Sequence, residues 1–261
     1  MNAHDGKVAL VTGAASGIGY ALCRELHARG ATVHAADLNE AGLARLRQEC
    51  GDRLVTTRLD VADEDAVRDW IERAAAERGR VDYLFNNAGI VVGGDFEAMD
   101  RAAWRKIIDI NLWGVIHGSQ HGYALMRRQG CGHIVNTAST AGVMPVARST
   151  AYATTKHAVV GLSTSLREEG RAHGIRVSVV IPGLVDTNIF STATNIGGHD
   201  YDAAIRKVPI GKISPQRAAR AILAGVAANR QYIVFPAYNR LIVGLSRAFP
   251  GVMGWLINRA T

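Results

Sequence analysis

The sequence predicts an α/β fold, a doubly wound parallel sheet of about seven strands with helices on both faces. Three observations predict it. Short apolar runs alternate with longer segments of helical periodicity along the chain. The first run, Val8-Ala9-Leu10-Val11, leads straight into a glycine-rich turn, Thr12-Gly13-Ala14-Ala15-Ser16-Gly17-Ile18-Gly19, that opens a helix. The composition, 48% hydrophobic and 20% charged over 261 residues, suits one globular domain spanning 1–261, with no repeat or linker tract.

The elements follow in order. Residues 7–11 form a buried strand ended by glycine, and 17–29 a helix stopped by Gly30. Residues 31–36 are the second strand, ending at Asp37, and 39–50 a helix with Leu43 and Leu46 facing in. Strand 54–59 ends at Asp60 and precedes helix 64–78; strand 81–85 ends in Asn86-Asn87-Ala88-Gly89. One long helix is expected over 101–128. Gly114, Gly118 and Gly122 recur in it every four positions, a spacing that predicts close approach of another helix. Strand 132–137, helix 151–173 and strand 176–181 follow, the last stopped by Pro182-Gly183. The pattern loosens over 184–213, which is expected to cover the substrate. Helix 214–228 starts with Ser214 as N-cap and Pro215 at the first helical position. Residues 232–235 form the last strand, and an apolar tail occupies 238–261.

The formal net charge is +7, but Lys and Arg are scattered singly, so no nucleic-acid partner is expected. Cys23, Cys50 and Cys131 are odd in number and far apart, which argues against a disulfide framework and for a reducing compartment. None has metal-ligand spacing. The first residues lack a basic stretch before an apolar one, and Arg247 and Pro250 interrupt the late apolar segment 241–257. A cytoplasmic protein without a membrane span is expected.

Gly13, Gly17 and Gly19 fall between a strand and a helix, where glycine permits a sharp turn and the helix N-terminus offers free N–H groups to a pyrophosphate. Asp37 closes the second strand, where an acid bonds the adenosine ribose hydroxyls and repels a 2′-phosphate. NAD is therefore expected over NADP; the competing reading makes Asp37 a turn residue. Two readings of Asp60 stay open: it holds the adenine amino group, or it caps the loop with Asn87. Tyr152 and Lys156, at i and i+4, project from one helix face, thirteen and seventeen residues after Ser139.

In order and spacing, Thr12-Gly-x-x-x-Gly-x-Gly19, Asp60-Val61, Asn86-Asn87-Ala88-Gly89, Asn111, Ser139, Tyr152-x-x-x-Lys156 and Pro182-Gly183 resemble the motifs of the short-chain dehydrogenase/reductase family, in its single-domain branch. The resemblance covers residues 7–232 and implies a Rossmann-type fold. It implies that Tyr152 is the catalytic acid/base, that Lys156 binds the nicotinamide ribose and lowers the tyrosine pKa, and that Ser139 orients the substrate oxygen. It also implies that Asn111 sits at a helix irregularity and holds a water in a proton relay. Pro182 and Gly183 are expected beside the nicotinamide and Thr187 at its carboxamide. The remaining implied coenzyme contacts are Ser16, Ile18, Leu38, Val61, Asn87, Ala88, Gly89 and Val185. A homotetramer or dimer built on the two long helices is implied as well, with the glycines of the first suited to the interface.

Electrostatics can be set beside the implied role of Lys156. A free phenol has a pKa of about 10, and lowering it to about 7.5 requires roughly 3–4 kcal/mol. A cation at about 4 Å, with an effective dielectric near 20, supplies about 4 kcal/mol. The substrate wall is expected from 140–149, 91–96 and 184–210. Val91, Val92, Val143, Met144, Val146, Ile189 and Phe190 are apolar; no Lys or Arg is placed to grip a carboxylate or phosphate, with Arg148 the one able to reach in. A hydrophobic secondary alcohol or ketone, cyclic, aromatic or steroid-like, is the expected substrate. In the tail, Leu241, Ile242, Leu245, Phe249, Met253, Trp255 and Leu256 predict packing at a subunit interface or over the substrate mouth; the competing reading is a membrane surface beside Arg240, Arg247 and Arg259. Two other functions are weighed: a non-catalytic NAD-binding sensor or scaffold, which an eroded tyrosine–lysine set would favour, and a methyltransferase, which would lack Tyr-x-x-x-Lys.

Overall fold

A computed structural model describes residues 4–206 and 211–248. The expectations for Phe249, Met253, Trp255, Leu256 and Arg259, and for 207–210, lie outside the described residues. Seven parallel strands form the main sheet. They are β1 (Val8–Thr12), β2 (Thr32–Asp37), β3 (Leu54–Arg58), β4 (Tyr83–Asn86), β6 (Gly132–Thr137), β7 (Ile175–Pro182) and β9 (Tyr232–Phe235). Their spatial order is β3-β2-β1-β4-β6-β7-β9. The chain runs outward from β1 to β3, then returns to β4 on the other side of β1. That reversal opens a crevice beyond the carboxyl ends of β1 and β4, where such sheets bind ligands.

Both sheet faces are buried, so β1 reads as an unbroken apolar run. Ala9 and Val11 point to one face, into a core shared with α1 (Gly17–Ala28), α2 (Glu40–Cys50) and α8 (Pro215–Ala227). Val8 and Leu10 point to the other, towards α3 (Glu64–Arg78) and α5 (Gly114–Gln129). On that second face α6 (Thr150–Arg171) packs Val159 and Val160 against Val179 and Ile181 of β7. Asn39, Asp63 and Ser214 cap α2, α3 and α8 through their side-chain oxygens.

The structure differs from the sequence expectations in three elements. The helix expected over 101–128 is α4 (Arg101–Ile108), a wide π turn over Asp109–Trp113, and then α5. Asn111 sits inside that turn, at the kind of irregularity the family resemblance implies. The glycines of α5 face residues of their own chain. A Cβ on Gly114 would press on Val61 (2.7 Å), one on Gly118 on Asn86 and one on Gly122 on Leu84 (2.5 Å), so they seat the helix on its own sheet. Finally, a small second sheet pairs β5 (Val92–Gly94) with β8 (Thr194–Ile196), the latter inside the region expected to be loose. The tail begins as α9 (Ala237–Ala248), with Val243 buried against the α6–β7 cluster and Tyr238, Leu241 and Leu245 exposed. Among the described residues no helix is long and apolar enough to cross a membrane, and no cluster of His, Cys, Asp and Glu could hold a metal ion.

Candidate active site

A cleft of about 490 Å³ runs along the carboxyl ends of the strands, with two distinct ends. At one end lies the turn between β1 and α1. Gly13 and Gly17 have φ of +68° and +53°, a conformation that strains any side chain. A Cβ on Gly13 would also come within 2.8 Å of Ala88 Cα. Thr12, quoted in the motif but assigned no role, explains that closeness. Its Oγ1 accepts from the amides of Asn87 (3.0 Å) and Ala88 (3.1 Å), while Asn87 Nδ2 donates to Thr12 O (3.1 Å). The glycine turn and the loop after β4 are therefore one unit.

The start of α1 carries no side-chain cap on Ser16 and no acid in its first turn. Its first amides are left for an anion, which suits a pyrophosphate. Ser16, Gly17 and Ile18 line the cleft there, as do Asp37, Leu38, Asp60, Val61, Asn87, Ala88 and Gly89. Asp37 Oδ2 accepts from Ala15 N (3.0 Å) and Oδ1 from Asn39 N (2.9 Å). The carboxylate thus props up the glycine turn, and a carboxylate retains further acceptor sites for ribose hydroxyls. Asp60 accepts from Ala62 N (3.0 Å), closing its own turn, while Asn87 is engaged with Thr12. Gly19 lies behind the wall: it is buried, and a Cβ there would overlap Gly13 O.

At the other end α6 presents Tyr152 and Lys156 one turn apart, and Ser139 faces them from the loop after β6. Pro182, Gly183, Val185 and Thr187 close the wall after β7. Thr187 packs on the glycine turn, since a Cβ on Gly17 would lie 3.0 Å from its Cγ2. Lys156 Nζ is buried and donates to Thr137 O (2.9 Å). Burial pulls its pKa from 10.5 down to about 8. Asn111 is fully buried beside the cleft. It donates to Ile90 O (2.9 Å) and accepts from Ile90 N (2.8 Å). A Cβ on Gly89 would sit 3.2 Å from Asn111 Oδ1 and 3.4 Å from Lys156 Nζ, so the two flank the same glycine.

The electrostatic expectation for Tyr152 is corrected. Burial raises its pKa well above 10, the hydrogen bond with Ser139 lowers it, and the neighbouring phenol of Tyr201 raises it further. Lys156 Nζ lies 5.6 Å from the Tyr152 ring centroid and is committed to Thr137. An attraction counted without the dehydration of both groups overstates what one lysine achieves. The buried phenol therefore holds its proton through the neutral range.

Ile90, Ile110, Met144, Val146, Ile189, Phe190 and Ile205 give the cleft an apolar stretch of wall, interrupted by Thr140, Asn188 and Thr192. Arg148 does not reach in; its Nε pairs with Asp95 Oδ1 at 3.3 Å, and both side chains are exposed. Lys156 is the one Lys or Arg among the described lining residues. Sequence reasoning missed Tyr201, which lines the chamber, is buried and bonds Ser149 Oγ (2.9 Å). Nothing in its local sequence marks it, because β8 sets its position.

A family model described as short chain dehydrogenase matches residues 7–195. A cis-4-hydroxycyclohexanecarboxylate dehydrogenase of Sinomonas cyclohexanicum is 40% identical, over 85% of this chain and 91% of that protein. A 3beta-hydroxysteroid dehydrogenase 2 of Eggerthella lenta is 37% identical, over 70% of this chain and 73% of that protein. A short chain dehydrogenase/reductase from Burkholderia phymatum, solved in complex with NAD, superposes with a TM-score of 0.87 at 30% identity and 95% coverage of both chains.

Proposed function

The chain belongs to the short chain dehydrogenase family, and from that premise we propose that it is an NAD(H)-dependent oxidoreductase interconverting a hydrophobic secondary alcohol and its ketone. The observation that carries this reading is one cleft lined by three things together: an uncapped helix N-terminus beside Asp37, the Ser139–Tyr152–Lys156 group, and an apolar wall. Ser16, Gly17 and Ile18 would hold the coenzyme pyrophosphate, Asp37 the adenosine ribose and Lys156 the nicotinamide ribose. Bound nicotinamide supplies the hydride acceptor or donor.

The chain's own residues handle the proton. In reduction, the protonated Tyr152 donates to the substrate oxygen, and its raised pKa keeps that proton available at neutral pH. Ser139 donates a hydrogen bond to the same oxygen as negative charge develops there. In oxidation, Tyr152 takes the hydroxyl proton, which requires a phenolate; the lysine ammonium and an oxidised pyridinium both favour that form. Oxidation releases a proton, so alkaline pH favours that direction. Asn111, fixed by both its bonds to Ile90, is suited to hold a water between Lys156 and solvent.

NAD is favoured over NADP by the Asp37 carboxylate at the coenzyme end, with no described Lys or Arg beside it in the cleft. A ring-bearing substrate is favoured by the apolar wall and by relatives named for a hydroxycyclohexanecarboxylate and a hydroxysteroid. A substrate carboxylate finds no described cation in the chamber besides Lys156. The test is coenzyme reduction with NAD and NADP across cyclohexanols, hydroxysteroids, aryl alcohols, sugars and hydroxyacyl thioesters. Turnover of ring alcohols with NAD is expected; turnover confined to sugars or thioesters overturns the substrate assignment.

A further inference from the structure

We propose that Tyr201 sets which alcohols fit the chamber: a specificity-determining ring, latched to the helix that carries Tyr152. The proposal rests on the alcohol-oxidising reading above and deepens it.

Tyr201 opens α7 (Tyr201–Arg206), and its ring enters the chamber from the covering segment. Phe190 stacks on it, with centroids 5.9 Å apart and planes 12° from parallel. Two polar ties fix it, and a third fixes the strand that precedes it. Its amide donates to Asn195 Oδ1 (3.1 Å). Its hydroxyl meets Ser149 Oγ at 2.9 Å. The β8 strand just before it pairs with β5, and Thr194 N donates to Val91 O (3.0 Å). Ser149 is fully buried and immediately precedes α6, three positions before Tyr152. The ring is thus tied to the same turn of chain as the reacting phenol, and an ionised form of either phenol would disfavour the other.

The floor beneath the ring is built to admit it. A Cβ on Gly93 would overlap Tyr201 Cδ2 and lie 2.8 Å from Cε2, so β5 accepts the roof only because that position is glycine. A hydroxyl held by Ser149 cannot swing aside, and two stacked rings form a rigid wall. Such a wall selects by size. Among ring alcohols the monocyclic ones clear the ring, whereas the bulkier polycyclic ones press against it and turn over less well.

The experiment compares wild type, Tyr201→Phe, Tyr201→Ala, Gly93→Ala and the Gly93→Ala/Tyr201→Ala pair. It reads kcat and KM for cyclohexanol and for a polycyclic secondary alcohol, with hydrogen exchange at the β8 amides. Tyr201→Ala is expected to raise the polycyclic-to-monocyclic ratio of kcat/KM about tenfold or more. Tyr201→Phe keeps the ring and therefore the ratio, but raises KM for both alcohols about fivefold with kcat little changed, and speeds β8 exchange. Gly93→Ala displaces the ring and weakens both substrates; adding Tyr201→Ala to it restores activity to the Tyr201→Ala level. If wild type oxidises ring alcohols but the ratio in Tyr201→Ala stays as in wild type, or Tyr201→Phe leaves β8 exchange unchanged, the role of Tyr201 is overturned alone. If wild type oxidises no secondary alcohol with either coenzyme, the alcohol reading fails, and the role of Tyr201 with it.

Discussion

Lys156 holds its ammonium among protein atoms, and that costs the fold. Its pKa is about 8 in the folded chain against an ordinary 10.5. Between those values the unfolded chain binds more protons, so stability rises with pH across that window. Below about pH 8 the full cost, roughly 3 kcal/mol, is present. Lys156→Met is expected to lose turnover while its Tm at neutral pH rises by a few degrees, less what the orphaned Thr137 carbonyl gives back. Thermal unfolding across the alkaline range checks this: an unchanged slope in the variant contradicts it. His133 acts at the other limb. Burial, with Arg176 and Arg167 nearby, pulls its pKa from 6.5 to about 3. The unfolded chain takes up its proton first, so stability is lost as pH falls below about 6.5. His133→Gln should flatten that acid limb in urea titrations, and an identical limb would refute the assignment. Tyr152, Lys156 and Ser139 were legible in the sequence through order and spacing. Their proton affinities were not, because these depend on how much water the folded cleft excludes.

At the scale of elements, the strands and most helices were legible because each carries its own period and its own stop. What failed was whatever depends on a neighbour. The glycine row of α5 predicts a close approach, yet only the fold says that the approaching surface is Val61, Asn86 and Leu84 of the same chain. The π turn around Asn111 leaves no mark in the helical period. The β5–β8 pair is three residues a side, with two glycines in β5, too short to show alternation. The end of β2 is the element where two sequence readings still compete. Asp37 visibly serves the turn through Ala15 N and Asn39 N. If it also reads the ribose, Asp37→Ala should weaken NADH by about tenfold and raise the NADPH-to-NADH affinity ratio by at least as much. Fluorescence titration decides it, since equal losses for both coenzymes leave Asp37 a turn residue only.

For the whole molecule, the seven-stranded order and the switch between β1 and β4 put the site where the alternation of elements predicted it. Assembly is a separate matter. Trp113 on the π turn and Tyr238, Leu241 and Leu245 on α9 are large apolar or aromatic side chains left exposed. Self-association is expected, with light scattering giving a multiple of 27.9 kDa and Leu241→Glu or Trp113→Glu lowering it. A wild-type mass of one chain contradicts that, and sedimentation with anionic vesicles would turn the α9 surface towards a membrane instead.

The most direct measurement is coenzyme reduction by Tyr152→Phe, with NADH binding measured on the same sample. Proton transfer through the phenol predicts that NADH binds within about threefold of wild type while kcat falls by about three orders of magnitude or more. Turnover near the wild-type rate in that variant would contradict it.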